Sequence, residues 1–448
     1  MGFLVHEDKS VFVPSKKLQF LSFLIDTEKM IVTLTQEKKD RLVEECQKLI
    51  SKKQATIREV ARVLGLTVSS FSGVDYGQLF YREIEVEKSQ ALKLARGNFD
   101  LKMQISENIK SEMKWWVKNI HNQYRVLNRN NPQVVLQTDA SLLGWGAVMN
   151  DSKTGGRWNY DEKENHINYL ELLAIFYALK AFQCQLKKCN HVKILSDNTT
   201  AVSYINHMGG VKYPCCNSLA KSIWFWAKQH KIWLTASHIA GKDNITADIQ
   251  SRKFNDQVEW QLNKEIFKHI CSVCGTPDID LFASRLNTQL EKFCAWKPDP
   301  DASFIDAFSI DWSEYKCYMF PPFSLLGRCV KKVQDDKTTA ILVAPLWPTQ
   351  DWFSQTMQML IDTPIMVQAR NNLLSLPYKE TVHPLRKTTN LIICQFSGNS
   401  LLVKEYLLKL PISCCARGDK VLKNSTKYLS KDGFSTVAKG RLVKFRFL

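Results

Sequence analysis

The sequence predicts an α/β chain: a central mixed sheet flanked by helices, a small α+β region before it and a further α/β domain after it. Three observations carry this. Residues 131–255 run strand, strand, strand, helix, strand, helix, helix, strand, helix. Residues 1–95 hold short β-branched and aromatic runs followed by helices with recognisable caps. Residues 271–372 alternate apolar strand-like runs with helical stretches.

Taken in order, "VFVPSKKLQFLSFLIDTEKMIVTL" reads as short strands interrupted by turns. Thr35 then caps a helix whose apolar positions Leu42, Val43, Cys46, Leu49 and Ile50 keep helical spacing. A second helix starts at Thr56, where Thr56 and Glu59 form a capping box, and Gly65 is expected to stop it. Residues 96–130, with "MKWWVKNIHNQYRVLNRNNPQ", give a connecting helix and a polar break. "VVLQTD", "GWGAVMN" and "GRWNY" follow as a meander with glycine-containing turns. "NYLELLAIFYALKAFQ" is helical, "HVKILSD" and "IWLTASHIAG" are strands, and "NITADIQSR" is a short final helix. Residues 256–270 read as a linker. In 271–372, "PDIDLFAS", "KCYMFPPFS" and "TTAILVAPLW" each resemble a strand ending in a loop. Residues 373–448 read as a basic tail, with nine Lys and Arg against two Asp between 416 and 448. A solvated tail is preferred there over a second polyanion-binding surface.

Sixty-one Lys and Arg against 44 Asp and Glu leave a formal charge of +17, which favours polyanionic partners, most simply nucleic acid. Thirteen cysteines without regular spacing fit reduced thiols in an intracellular protein of cytoplasm or nucleus. Cys271 and Cys274 form a C-x-x-C pair, but no second pair completes a zinc site. No run approaches the ~20 apolar residues of a membrane span, and "MGFLVHEDKS" lacks the features of a signal peptide.

Four acids stand out. Asp139 ends an apolar strand, Glu171 interrupts the apolar face of the long helix, Asp197 ends "KILSD", and Asp248 lies on the final helix. Parallel strands carrying Asp139 and Asp197 at their carboxyl ends would bring both to one rim, where a packed helix could add Glu171. Such a cluster is stable only with raised pKa values or with divalent cations among the carboxylates. Oxygen-only ligands suit two Mg²⁺ or Mn²⁺ ions, the arrangement that hydrolyses phosphodiesters. Taken singly, each Asp reads equally as a turn or cap residue, and Asp197 could cap the helix after it.

The pieces "TDASLLGWGAV", "INYLELLAI", "ILSDNTTAVSYIN" and "SHIAGKDNITADIQSR" resemble the ribonuclease H domain of retroelement reverse transcriptases. The resemblance implies a ribonuclease H-like fold over 131–255 and a metal site of Asp139, Glu171, Asp197 and Asp248. It gives His238 a part in proton transfer or product release, and Trp145, Asn168 and Asn198 contacts to sugar or phosphate. Residues 1–95 resemble the primer-gripping hairpin and thumb of a reverse transcriptase, without the Tyr-x-Asp-Asp polymerase motif. "PDIDLFASRLN" through "PTQDWF" is similar to the block after ribonuclease H in DIRS-type, tyrosine-recombinase retrotransposons, itself like N6-adenine methyltransferases. There Phe320-Pro321-Pro322-Phe323 stands where those enzymes carry an Asn or Asp, which implies a methyltransferase-like domain without methyl transfer.

The expected function is therefore cleavage of the RNA strand of RNA–DNA hybrids by two metal ions. The alternative is a catalytically silent nucleic-acid-binding remnant of a retrotransposon polyprotein. Implied partners are the hybrid, upstream palm and fingers, and a tyrosine recombinase of the same element; no membrane is expected.

Overall fold

The computed structural model describes residues 10–255, 259–378, 383–384, 389–412 and 435–448. They fall into two compact units: Met1–Thr138 with His166–Leu173 and Lys187–Asn244, and Asp139–Asn165 with Ala174–Leu186 and Ile245–Leu448.

The first unit begins with an antiparallel meander of β1 (Lys17–Phe20), β2 (Phe23–Asp26) and β3 (Ile31–Leu34). Thr35 caps α1 (Gln36–Ile50) as expected, its hydroxyl accepting from the Lys38 amide. After β4 (Gln54–Thr56), the Thr56–Glu59 capping box opens α2 (Ile57–Val68). Gly65 does not stop this helix, which continues to Val68. Burial of Val63, Leu64 and Thr67 outweighs the ~1 kcal/mol that an interior glycine costs. Next come α3 (Arg82–Leu94), β5 (Lys102–Gln104), α4 (Glu107–Asn119) and β6 (Arg125–Val126). Residues 96–130 are thus no mere connector: β5 pairs with β4, β6 pairs with β3, and the fully buried Trp116 donates to the Phe80 carbonyl at 2.7 Å.

The predicted central sheet is present. Its strands are β7 (Val134–Ala140), β8 (Gly144–Met149), β9 (Ser152–Arg157), β10 (His191–Ser196) and β11 (Trp233–His238), in the order β11-β10-β7-β8-β9. β10 runs parallel to both β7 and β11, and β9 antiparallel to β8. β9 comes earlier than "GRWNY" because Asn159 and Glu162 form a capping box that draws Tyr160 into α5 (Tyr160–Lys163). The remaining helices are α6 (Ile167–Ala181), α7 (Gln183–Leu186), α8 (Thr199–Asn206), α9 (Pro214–Gln229) and α10 (Ile245–Arg252). α6 buries Leu170, Leu172, Leu173, Ile175 and Leu179 around most of its circumference, the mark of a helix enclosed by its neighbours.

In the second unit α10 lies flush on β8 and β9. A Cβ at Gly146 would come within 2.2 Å of the Ala247 carbonyl, and one at Gly155 within 2.7 Å of the Gln250 carbonyl. The unit also holds a six-stranded sheet of Ile279–Asp280, Lys316–Met319, Thr339–Pro345, Leu391–Ser397, Ile365–Val367 and Arg446–Phe447, in that spatial order. The first three strands are parallel, and Leu391–Ser397 is antiparallel to both its neighbours. This corrects the solvated tail expected from residue 373: Leu391–Ser397 is a buried inner strand, a helix covers Ser400–Lys409, and a hairpin joins Ser435–Ala438 to Arg441–Lys444. The apolar run Leu391–Cys394 is flanked in sequence by Arg386, Lys387 and Lys404, which weighed it toward a basic tail. The part of that expectation on 413–434 lies outside the described residues. Among the described residues no helix is long and apolar enough to cross a membrane.

Candidate metal centre

Parallel pairing sets the geometry. β7 and β10 are in register from Val134↔Val192 to Gln137↔Leu195. Asp139 and Asp197 each lie two residues further on, so the same register carries both to one end and one face of the sheet. α6 contributes Glu171. One carboxylate oxygen from each of Asp139, Glu171 and Asp197 lies within 4.8 Å of the others. Asp139 and Glu171 are both 4 % exposed, and Asp197 is half-buried.

Neighbouring side chains fix these acids. The Ser251 hydroxyl, fully buried on α10, donates to Asp139 Oδ2 at 2.6 Å, and the Ser141 hydroxyl holds the Ser251 carbonyl at 2.6 Å. Ser196 Oγ stands 3.5 Å from Glu171 Oε2. Asn198 caps α8: its Oδ1 accepts from the Ala201 amide and its Nδ2 donates to Asn168 Oδ1, each at 2.9 Å. The cap is thus Asn198, and Asp197 is released from that duty. His238 is exposed at the end of β11, in register with Ser196, and a Cβ at Gly241 would sit 3.4 Å from Asp197 Oδ2.

The other expected site residues fall elsewhere. Asp248 is not in the three-acid cluster; its Oδ1 accepts from Arg252 Nε at 2.6 Å and its side chain is 41 % exposed. Trp145 is 2 % exposed and packs edge-on against Tyr177, which makes it a core residue and not a surface contact to sugar or phosphate. Asn168 and Asn198 hold each other. Phe320-Pro321-Pro322-Phe323 follows the strand Lys316–Met319, with Phe323 edge-on to Trp347. Ser251 and Ser141 were not foreseen. The signal for Ser251 was its place three residues after Asp248, on one face of a short helix.

Two unit negative charges ~5 Å apart repel by about 3 kcal/mol at an effective dielectric near 20. Three carboxylates so placed favour uptake of a cation between them. The donors are all carboxylate oxygens, as hard ions such as Mg²⁺ and Mn²⁺ require. Asp139, Glu171 and Asp197 therefore fit a divalent cation.

A comparison with known families points to part of the same stretch. Residues 130–214 match the RNase H-like domain found in reverse transcriptase. The chain is 29 % identical over 136 residues to the enzymatic polyprotein of cauliflower mosaic virus (strain D/H), which is 28 % of this chain and 19 % of that one. It is 28 % identical over 127 residues to the genome polyprotein of Petunia vein clearing virus (isolate Shepherd), covering 26 % and 6 % respectively. The chain thus spans about a fifth or less of the length of these relatives. Among solved structures, RNase H1 of Halobacterium salinarum aligns over 26 % of this chain and 92 % of its own, at 17 % identity and a TM-score of 0.21. The foamy viral protease–reverse transcriptase solved with an RNA/DNA hybrid aligns over 50 % and 29 %, at 15 % identity and a TM-score of 0.23. Residues 130–214 thus match an RNase H-like domain of the reverse-transcriptase type, and part of the chain is similar to viral polyproteins.

Proposed function

We propose that this domain hydrolyses the RNA strand of RNA–DNA hybrids. The observation that supports the reading most is the convergence of Asp139, Glu171 and Asp197 within 4.8 Å at the carboxyl ends of parallel strands. These three residues, with Asp248 of α10 as a fourth ligand once it leaves Arg252, would hold two Mg²⁺ or Mn²⁺ ions. When bound, such ions activate a water and stabilise the leaving oxygen of a phosphodiester. Ser251 orients Asp139, and Glu171 and Asp197 present their oxygens from a helix and a strand end that packing keeps still. His238, exposed at the end of β11 and in register with Ser196, would pass a proton to or from solvent. Hybrid recognition would come through 2′-hydroxyl contacts, the feature separating RNA from DNA, and phosphate contacts would draw on the basic excess.

One observation favours the alternative of a silent binding remnant: Asp248 is engaged with Arg252 and apart from the cluster. A 5′-labelled hybrid incubated in Mg²⁺ with wild type and with Asp139→Asn decides between them. Cleavage by wild type alone supports hydrolysis, whereas binding without cleavage by wild type leaves the remnant reading.

The wider setting is a proposal too. Residues 10–95 fit a reverse-transcriptase thumb remnant, and the chain a DIRS-type element that also encodes palm, fingers and a tyrosine recombinase. The parallel strands Ile279–Asp280, Lys316–Met319 and Thr339–Pro345, with Phe320 directly after the second, support a methyltransferase-like domain that cannot hold a target amino group. Micromolar binding of an S-adenosylmethionine analogue in calorimetry would overturn this.

A further inference from the structure

The last helix, Ser400–Lys409, and the hairpin Ser435–Lys444 border a cavity of 430 Å³. Three of its lining residues are cationic, Lys404, Lys439 and Arg441, and none is acidic; Gln334, Gln358 and Ser400 supply neutral polar groups. The cations come from a helix, a turn and a strand, so their convergence is produced by folding and not by a basic run. Lys439 sits in that turn at φ 47°, followed by Gly440 at φ 73°, so the chain reverses tightly there. Arg441 Nη1 donates to the Leu410 carbonyl at 2.9 Å, and the Leu442 amide donates to the Pro411 carbonyl at 2.9 Å, which ties the hairpin to the helix end. Among the described residues no carboxylate pairs with Lys404, Lys439 or Arg441. The helix begins at the same cavity, with Asn399 as its cap and Ser400 in the lining, and adds the positive end of a ten-residue helix.

Like charges lining one cavity repel each other unless an anion lies between them. Three cations call for more than a single negative charge, and the volume is that of a small-molecule site. A phosphomonoester carries about −1.5 to −2 at neutral pH and several acceptor oxygens. We propose that this cavity binds a phosphomonoester, presented either by a free nucleotide or by the 5′ end of a nucleic-acid strand. The site is independent of the nuclease reading and would stand if that reading failed.

Isothermal titration calorimetry on the full chain, in metal-free buffer, tests it with adenosine monophosphate and with a DNA dodecamer bearing or lacking a 5′-phosphate. Saturable binding of a phosphomonoester is expected. It should weaken at least tenfold in the Lys404→Gln/Lys439→Gln double variant and persist in the Lys404→Arg/Lys439→Arg control. Tighter binding of the phosphorylated dodecamer supports the strand end as source, and tighter binding of the mononucleotide the free compound. Absence of saturable binding by either, or equal affinity in the Gln variant with its melting temperature unchanged, overturns the proposal.

Discussion

Ser251 positions Asp139: its buried hydroxyl donates to one carboxylate oxygen at 2.6 Å. Replacing such a supporting group typically costs ~10–100-fold in metal affinity or activity. Ser251→Ala should therefore raise the Mg²⁺ midpoint for hybrid cleavage by roughly tenfold, measured by metal titration. Glu112 is a second telling residue. It is 2 % exposed, and burial pushes its carboxyl up to about 7, although Lys221 and the amides of Ile84 and Glu83 pull the other way. The folded state then holds a proton that the unfolded chain releases near pH 4.5. Stability is greatest below that value and falls as pH rises through about 7, by on the order of 3 kcal/mol. Urea unfolding at pH 5 and pH 8 should show this fall in wild type and little of it in Glu112→Gln. The three acids that cluster were legible in the sequence because Asp139, Glu171 and Asp197 each end or interrupt an apolar run. The partners that fix them were not: a serine's hydroxyl and an asparagine's cap are chosen by tertiary contact, which no local pattern announces. Trp145 misled for the same reason. An aromatic beside glycines reads alike whether it faces solvent or, as here, Tyr177.

The central strands and the long helices were read in the right order, because their apolar spacing agrees with their burial; the short helices α5 and α7 were missed. What escaped was register and termination. Gly65 carries the composition of a stop, yet α2 runs past it, since packing outweighs propensity. The inner strand Leu391–Ser397 was lost among basic neighbours, although all but one of its residues are buried. Close approach between elements is equally hidden. α10 can bring Ser251 to Asp139 only because β8 presents Gly146 where a side chain would strike the Ala247 backbone. Gly146→Ala should thus cost about 1–3 kcal/mol through overpacking and reduce hybrid cleavage together with stability. Denaturant titration and a cleavage assay on the same sample check both. A variant with full stability and full activity would show that α10 accommodates the extra atom.

Within the second unit, the loop residue Arg285 reaches Glu162 and Arg157 beside β9. Its guanidinium donates to Glu162 Oε2 at 2.7 Å, Glu162 Oε1 at 2.8 Å and the Arg157 carbonyl at 2.8 Å, and Tyr177 donates to the same carboxylate. Burial opposes the charge on Glu162, but Arg285 and the Tyr177 hydroxyl outweigh it and hold the carboxyl below its ordinary range. Removing one member of a buried pair leaves the other uncompensated, at a cost of about 3–5 kcal/mol. Arg285→Met should lower stability by that amount, whereas Arg285→Met/Glu162→Leu should recover much of it, as a double-mutant cycle in guanidinium would reveal. Further along the same loop, Thr154 of β9 donates to the Pro298 carbonyl, and Lys180 pairs with Asp301 at 3.1 Å. β9 is the outermost strand of its sheet, and unpaired outer strands recruit foreign chains. The downstream loop therefore serves as a bumper as well as a brace. A fragment ending at residue 255 would bare that flank, and its first symptom in light scattering would be self-association, ahead of any loss of fold.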